Sequence, residues 1–176
     1  MSIALFVGKA AGAQTIAEGM TGDCVWTLTG SGSNLTLTVR GEGEMANYVS
    51  YRSNGVEIKD LPSPPWWSLK DSIKVVDIEE GVTHVGSCAF KDFTRLESVK
   101  ISSSVVTIAN EAFLSCTSLT GIDFSASSSL EVIGESAFSG CSTKLASVTI
   151  PASVIAIGES AFSGCKNLSE LTFAAP

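Results

Sequence analysis

The sequence predicts an α/β repeat solenoid: short parallel strands stacked along one face, and short helical or 3-10 turns along the other. Three observations lead there. A unit of 23–26 residues recurs from residue 73 onward. Within each unit apolar residues alternate over a stretch of strand length. Apolar residues make up 44% of the 176-residue chain, enough for a core, while charged residues are only 16%.

The repeat is legible position by position. Ala-Phe recurs at Ala89-Phe90, Ala112-Phe113, Ala137-Phe138 and Ala161-Phe162. Three residues after each Phe stands Phe93, Cys116, Cys141 or Cys165. Leu96, Leu119, Leu145 and Leu168 follow, and then an apolar-x-apolar triplet such as Val99-Lys100-Ile101 or Val148-Thr149-Ile150. Between each triplet and the next Ala-Phe lies an apolar pair: Val82/Val85, Val105/Ile108, Leu130/Ile133 or Val154/Ile157. Gly86, Gly134 and Gly158 follow three of these pairs, and Ala109 follows the fourth. A period of this length with an L-x-x-L-x-L core is the leucine-rich-repeat signature. In the triplet the flanking side chains point inward and the middle one outward. The glycine is expected to free the backbone at a corner, and Ala-Phe to plug the interior from a helical or 3-10 turn. A lone unit cannot offset its ordering entropy, so neighbours must stack.

The blocks VIGESAFSGC (132–141) and TIPASVIAIGESAFSGCKNL (149–168) resemble the BspA-like leucine-rich-repeat family of bacterial and some protist surface proteins. Residues 22–82 resemble the segment that often precedes such repeats, and the likeness covers about residues 22–173. Departures are Ala109 for Gly, Phe93 for Cys, and extra residues near Ser127–Ser129 and Thr143. The resemblance implies a right-handed solenoid acting in adhesion or protein–protein contact at a cell surface, or secreted.

The expected organisation is a leader at 1–21, a small β-rich N-terminal cap at 22–72, and the repeats at 73–176, four units plus a fifth strand. Residues 1–13 combine a short apolar run with a small-residue site at Ala11-Gly12-Ala13 but lack a basic start, so they read as a trimmed or atypical secretory signal or a disordered leader. Val25–Thr29 and Leu35–Arg40 read as a hairpin, with Trp26, Leu28, Leu35, Leu37 and Val39 on one face. Such a hairpin suits a cap over the first repeat's apolar end. After the fifth strand no polar cap is recognised, so that end reads as the joint of a larger assembly or as a self-association surface.

Composition excludes several functions. A net charge of −7 argues against nucleic acid. No apolar run approaches the roughly 20 residues of a membrane span. One histidine, His84, leaves no catalytic or metal constellation, so no enzyme activity and no cofactor or metal is expected. Gly41-Glu42-Gly43-Glu44-Met45-Ala46 matches a dinucleotide fingerprint by letters but opens no helical pattern. Glu111, Glu135 and Glu159 read as a solvated column. Cys116, Cys141 and Cys165 read as a buried ladder, or as cross-linked adjacent rungs. Asn34 and Asn167 head glycosylation sequons.

The surface expected to work is the concave face of the strands. Its central outward column is Asp77, Lys100, Asp123, Thr149 and Thr172, and its flanking column is Val75, Ser98, Gly121, Ser147 and Glu170. The expected function is a non-enzymatic recognition module contacting a protein or an extracellular-matrix component. The alternatives are a structural spacer and, through Trp66 or Trp67, a carbohydrate-binding accessory.

Overall fold

A computed structural model describes residues 14–48, 62–125 and 128–175. They form a β-solenoid of about four turns, with parallel strands and little helix. The N-terminal part contributes β1 (Thr15–Thr21), β2 (Cys24–Ser31), β3 (Asn34–Gly41) and β4 (Gly43–Glu44). The repeats contribute β5 (Ile73–Ile78), β6 (Val82–Val85), β7 (Ser98–Ile101), β8 (Thr107–Ile108) and β9 (Gly121–Phe124). After them come β10 (Val132–Ile133), β11 (Ser147–Ile150), β12 (Ala156–Ile157) and β13 (Glu170–Phe173).

Each rung runs along a strand of the long sheet, or of the separate pair β11-β13 in the last rungs, turns into a short second sheet, and returns through its Ala-Phe segment. The long sheet has the order β1-β2-β3-β5-β7-β9, and the second β12-β10-β8-β6-β4. The core lies between them. Val76, Ile78, Val99 and Ile101 point into it from the triplets, Val82, Val85 and Ile108 from the second sheet, and Val105 from the turn before β8. Phe90, Phe113, Phe138 and Phe162 form one column of stacked rings through the repeats, with centroids 5.0, 5.1 and 5.4 Å apart.

The structure corrects three expectations. The Ala-Phe segments are hydrogen-bonded turns rather than helices; the only helix among the described residues is the 3-10 turn Trp67–Leu69. The reason is local. Cys88, Glu111, Ser136 and Ser160, each two residues before a Phe, have φ of 53, 55, 52 and 57°. Asp92, Ser115, Gly140 and Gly164, each two after it, also have positive φ. Left-handed residues on both sides of the Phe forbid helix propagation.

The glycines after the apolar pairs serve a different purpose from the one expected. A Cβ on Gly158 would lie 2.4 Å from the backbone nitrogen of Glu135, and one on Gly134 2.7 Å from that of Asn110. They are there so that successive rungs can approach at the corner, not for an unusual φ.

Residues 15–21, assigned to the leader, form β1 at the edge of the long sheet, antiparallel to β2. Gly19 lies over the Trp26 ring, where a Cβ would meet the indole nitrogen at 2.8 Å. The rest of the expected leader, 1–13, lies outside the described residues. The hairpin forms as β2 and β3, in register from Cys24↔Gly41 to Ser31↔Asn34, and β3 then pairs in parallel with β5. The expected cap strands are therefore continuous with the sheet of the repeats.

Candidate functional site

The outward columns stand in register. Val75 faces Ser98, which faces Gly121; Asp77 faces Lys100, which faces Asp123. Beyond β9, Ser147 faces Glu170 and Thr149 faces Thr172, with 3.2 Å between the two threonine hydroxyls. Parallel pairing produces these rows, because each triplet's middle residue falls on the outer face of its strand. The Lys100 ammonium lies 3.7 Å from Asp77 Oδ1, an ion pair too long for a hydrogen bond. With Lys100 61% exposed, water screens that pair to about 0–1 kcal/mol.

The row runs further than the repeats. Asp77 faces Thr38 on β3, Thr38 faces Thr27 on β2, and Thr27 faces Glu18 on β1. Beside it, Val75 faces Thr36 and Thr36 faces Thr29. Sequence reasoning left this threonine patch out because the hairpin was assigned to a separate cap. The signal was present in the T-x-T alternation of Thr27-Leu28-Thr29 and Thr36-Leu37-Thr38.

The face is not continuous. β9 and β11 are not hydrogen-bonded neighbours, and β11 pairs with β13 alone. In the intact part of the ladder the residue after each strand donates its N–H to the strand before: Glu79 to Val39, Ser102 to Ile78, Ser125 to Ile101, and later Ala174 to Ile150. Pro151 occupies this position after β11 and has no N–H for the carbonyl of Phe124. The unit here is also longer, 26 residues from Ile122 to Val148 against 23 in its neighbours. The resulting cleft, about 520 Å³, is lined by Thr120, Asp123, Ser125, Ser128, Ser147 and Thr149, among others.

A second depression of about 370 Å³ lies at the ends of β5 and β7, between Glu79, Glu80, Lys100 and Ser102. The Ser103 hydroxyl and amide both donate to Glu80, which holds its carboxyl below the usual range. Both hollows carry serine hydroxyls and carboxylates on their walls.

The tryptophans separate. Trp66 is fully buried, stacked on Phe90 at 5.6 Å, with its indole N–H donated to the carbonyl of Ala89 at 3.0 Å. It therefore cannot serve as an exposed sugar contact. Trp67 is half-buried against Phe93, with the Lys70 ammonium 4.2 Å from its ring centroid. His84 lies 3.3 Å from Asn47 Oδ1, whose oxygen also accepts the Ser87 amide.

The cysteines are buried thiols. Cys116, Cys141 and Cys165 each direct a thiol at a Phe carbonyl of the preceding rung, those of Phe90, Phe113 and Phe138. Burial raises Cys116, and the contact with Cys165 followed by burial raises Cys141. Cys88 is pushed up to about 11, by burial first and then by the Glu111 charge.

Comparison with known proteins agrees with this geometry. Residues 67–175 match the BspA type leucine-rich-repeat region in six copies. A leucine-rich-repeat protein of Eubacterium ventriosum superposes with a TM-score of 0.64 at 20% identity, over 94% of this chain and 45% of its own. The Treponema protein, T. pallidum leucine-rich-repeat protein, gives 0.56 at 25% identity, over 89% of this chain and 82% of its own. A leucine-rich cell surface protein of Faecalibacterium prausnitzii gives 0.52 at 23% identity, over 92% and 44%. This chain thus spans about half the length of the Eubacterium and Faecalibacterium proteins. Among proteins of curated function none matches the sequence. The repeat pattern, the ring column and a family match over more than half the chain make it a member of the BspA-type leucine-rich-repeat family.

Proposed function

We propose that the chain is a non-enzymatic recognition module of the cell surface, and that it contacts a protein partner through the outer face of its long sheet. Proteins with BspA-type repeats are generally surface-associated interaction modules. The observation that carries the reading is the row Glu18–Thr27–Thr38–Asp77–Lys100–Asp123, held in register across six hydrogen-bonded strands. A rigid, shallow, polar surface with one cation between two carboxylates suits a broad protein contact rather than a small molecule. It has no aromatic anchor, so affinity must come from area and from charge matching.

The test replaces Asp77, Lys100 and Asp123 together with Asn, Met and Asn, and measures binding to a panel of immobilised extracellular-matrix proteins. Wild type binds at least one of them, and the triple variant loses about tenfold in affinity, roughly 1.4 kcal/mol. Unchanged affinity removes this face from the account. Surface location has its own check: protease added to intact source cells cuts the protein, whereas cleavage only after lysis overturns a surface role.

A further inference from the structure

The break between β9 and β11 frees backbone groups that the rest of the ladder uses. Successive residues of a strand bond to opposite neighbours. Ser125 donates its N–H to Ile101, so Asp123 and Gly121 bond to β7, while Ile122 and Phe124 turn their N–H and C=O groups toward β11. Ala174 donates to Ile150, so Val148 and Ile150 serve β13, while Ser147 and Thr149 turn theirs toward β9. Among the described residues these four find no partner across the gap, because the two strands do not pair. Polar backbone at such a place needs water or a ligand.

The same break uncovers apolar surface. Ile122 and Phe124 line the cleft and are only half-buried, whereas their counterparts Val99, Ile101, Val148 and Ile150 are buried. Beside this apolar strip stand the hydroxyls of Ser125 and Ser147 and the carboxylate of Asp123, for which the described residues supply no ion pair. The lining residues include no lysine, arginine or histidine among those described. The volume, about 520 Å³, falls within the roughly 300–1,000 Å³ of small-molecule sites. An extended peptide does not fit as an added strand. It would hold its two neighbours about 9.6 Å apart, twice the usual spacing of about 4.8 Å, yet Cα atoms of β9 and β11 come within 8 Å of one another.

We infer that this cleft binds a neutral pyranose, a free sugar or the exposed unit of a glycan. Three features select that chemistry. A ligand that satisfies both N–H and C=O groups must both accept and donate, as a hydroxyl does. A carboxylate with no cation beside it in the cleft takes donors, best a pair of neighbouring hydroxyls on its two oxygens, and repels an anion. The half-buried Ile122 and Phe124 need an apolar surface against them, and a pyranose ring carries C–H faces as well as hydroxyls. Phosphates and acidic sugars fail the second requirement, and hydrocarbons fail the first. The site lies beside the charged row and shares Asp123 with it, but it takes a different class of ligand.

The experiment titrates the full chain with methyl glycosides of glucose, galactose, mannose and N-acetylglucosamine, and with disaccharides of the same units, while backbone amide signals are followed. At least one sugar should saturate with a Kd of about 1 mM or tighter, shifting the amides of Ile122, Phe124 and Thr149 and leaving those of Leu37 and Val99 in place. A gain of tenfold or more from the second ring identifies a glycan as the source, and a smaller gain a free sugar. Glucuronate should bind at least tenfold more weakly than glucose. Two variants locate the site. Gly121 lines the cleft and a Cβ there meets nothing within 4 Å, so Gly121→Ile fills the space without displacing the fold and should weaken binding at least tenfold. Asp123→Asn keeps the shape, removes the charge and should weaken it about tenfold. No saturation by any of these sugars, shifts confined to residues outside the cleft, glucuronate binding as well as glucose, or full binding by both variants overturns the inference. No matrix protein is present in this titration, so its failure and that of the matrix-binding test are read separately.

Discussion

Replacing Phe113 with Ala tests whether the ring column holds the solenoid together. Phe113 is fully buried and stacks on both sides, on Phe90 at 5.0 Å and 15° and on Phe138 at 5.1 Å and 3°. Truncating a core Phe to Ala costs about 3–5 kcal/mol through lost transfer energy and the cavity left behind. Each aromatic pair adds about 0.5–1.5 kcal/mol beyond area, and two pairs are lost, which places the cost at the upper end, about 4–5 kcal/mol. Phe162→Ala is the internal control. That ring has one stacked neighbour, Phe138 at 5.4 Å, and is half-buried, so its loss costs about 1–2 kcal/mol. Urea unfolding followed by circular dichroism and by tryptophan fluorescence separates the two. Trp26, Trp66 and Trp67 all lie at the N-terminal end, so fluorescence reports that end alone. Phe113→Ala should lower both midpoints together. Phe162→Ala should fray the last rung, lowering the dichroism signal early while the fluorescence midpoint holds. Equal costs for the two variants, or less than about 2 kcal/mol for Phe113→Ala, would refute the claim that stability flows through the stack.

Three further outcomes follow from individual contacts. Trp66→Phe keeps a ring on Phe90 but strips the buried Ala89 carbonyl of its donor; it should cost about 1–3 kcal/mol in urea unfolding, whereas a cost near zero would show that the hydrogen bond contributes nothing. A disulfide thiol reagent at pH 8 should label the native chain at Cys88, Cys116 and Cys141 only after unfolding: a thiol raised to about 11, as at Cys88, is about 0.1% thiolate there, and rapid native labelling at these three sites would contradict their burial. Pro151→Ala restores an N–H beside the carbonyl of Phe124; the new amide should be protected from exchange, and a freely exchanging amide would mean the longer unit alone, not the proline, parts β9 from β11.

The inner positions of the repeat were legible because one constraint recurs in every unit. A side chain that faces the neighbouring rung must fit it, so Val76, Val99, Ile122 and Val148, or Phe90, Phe113 and Phe138, reappear every 23–26 residues and name their own environment. The turns were misread for a complementary reason. Ala-Phe next to polar residues has no low helix propensity, and the left-handed conformations that stop a helix fall on Cys88, Glu111, Ser136 and Ser160, none of them glycine. Their cost is offset by hydrogen bonds to the next rung, which no window of local sequence contains. β1 was missed because small residues, Ala17 and Gly19, occupy its inward positions, while Ile16 and Met20 face outward at 50% and 61% exposure. That inverts the alternation by which a half-buried strand is recognised.

The outer face obeys the opposite logic. Nothing in the fold constrains the middle residue of a triplet beyond tolerance for solvent, so Asp77, Lys100, Asp123, Thr149 and Thr172 share a column without sharing a chemistry. Their register could be read from the inner pattern, since parallel pairing carries the outer residues along with the inner ones. What they bind could not, because a ligand imposes no period on the sequence. The same freedom explains why the break in the sheet is placed where it is. A proline after β11 removes one ladder hydrogen bond but leaves the inward contacts of Val148 and Ile150 intact, both of them still buried. The core therefore tolerates the cleft, and the outer face is divided into a charged part carried by β5, β7 and β9 and a hydroxyl part carried by β11 and β13. A flat partner that contacts Asp123 and Thr149 at once must bridge the gap between them, whereas one confined to the Asp77–Lys100–Asp123 row meets an unbroken sheet. That asymmetry is why the charged row, rather than the whole column, carries the functional reading.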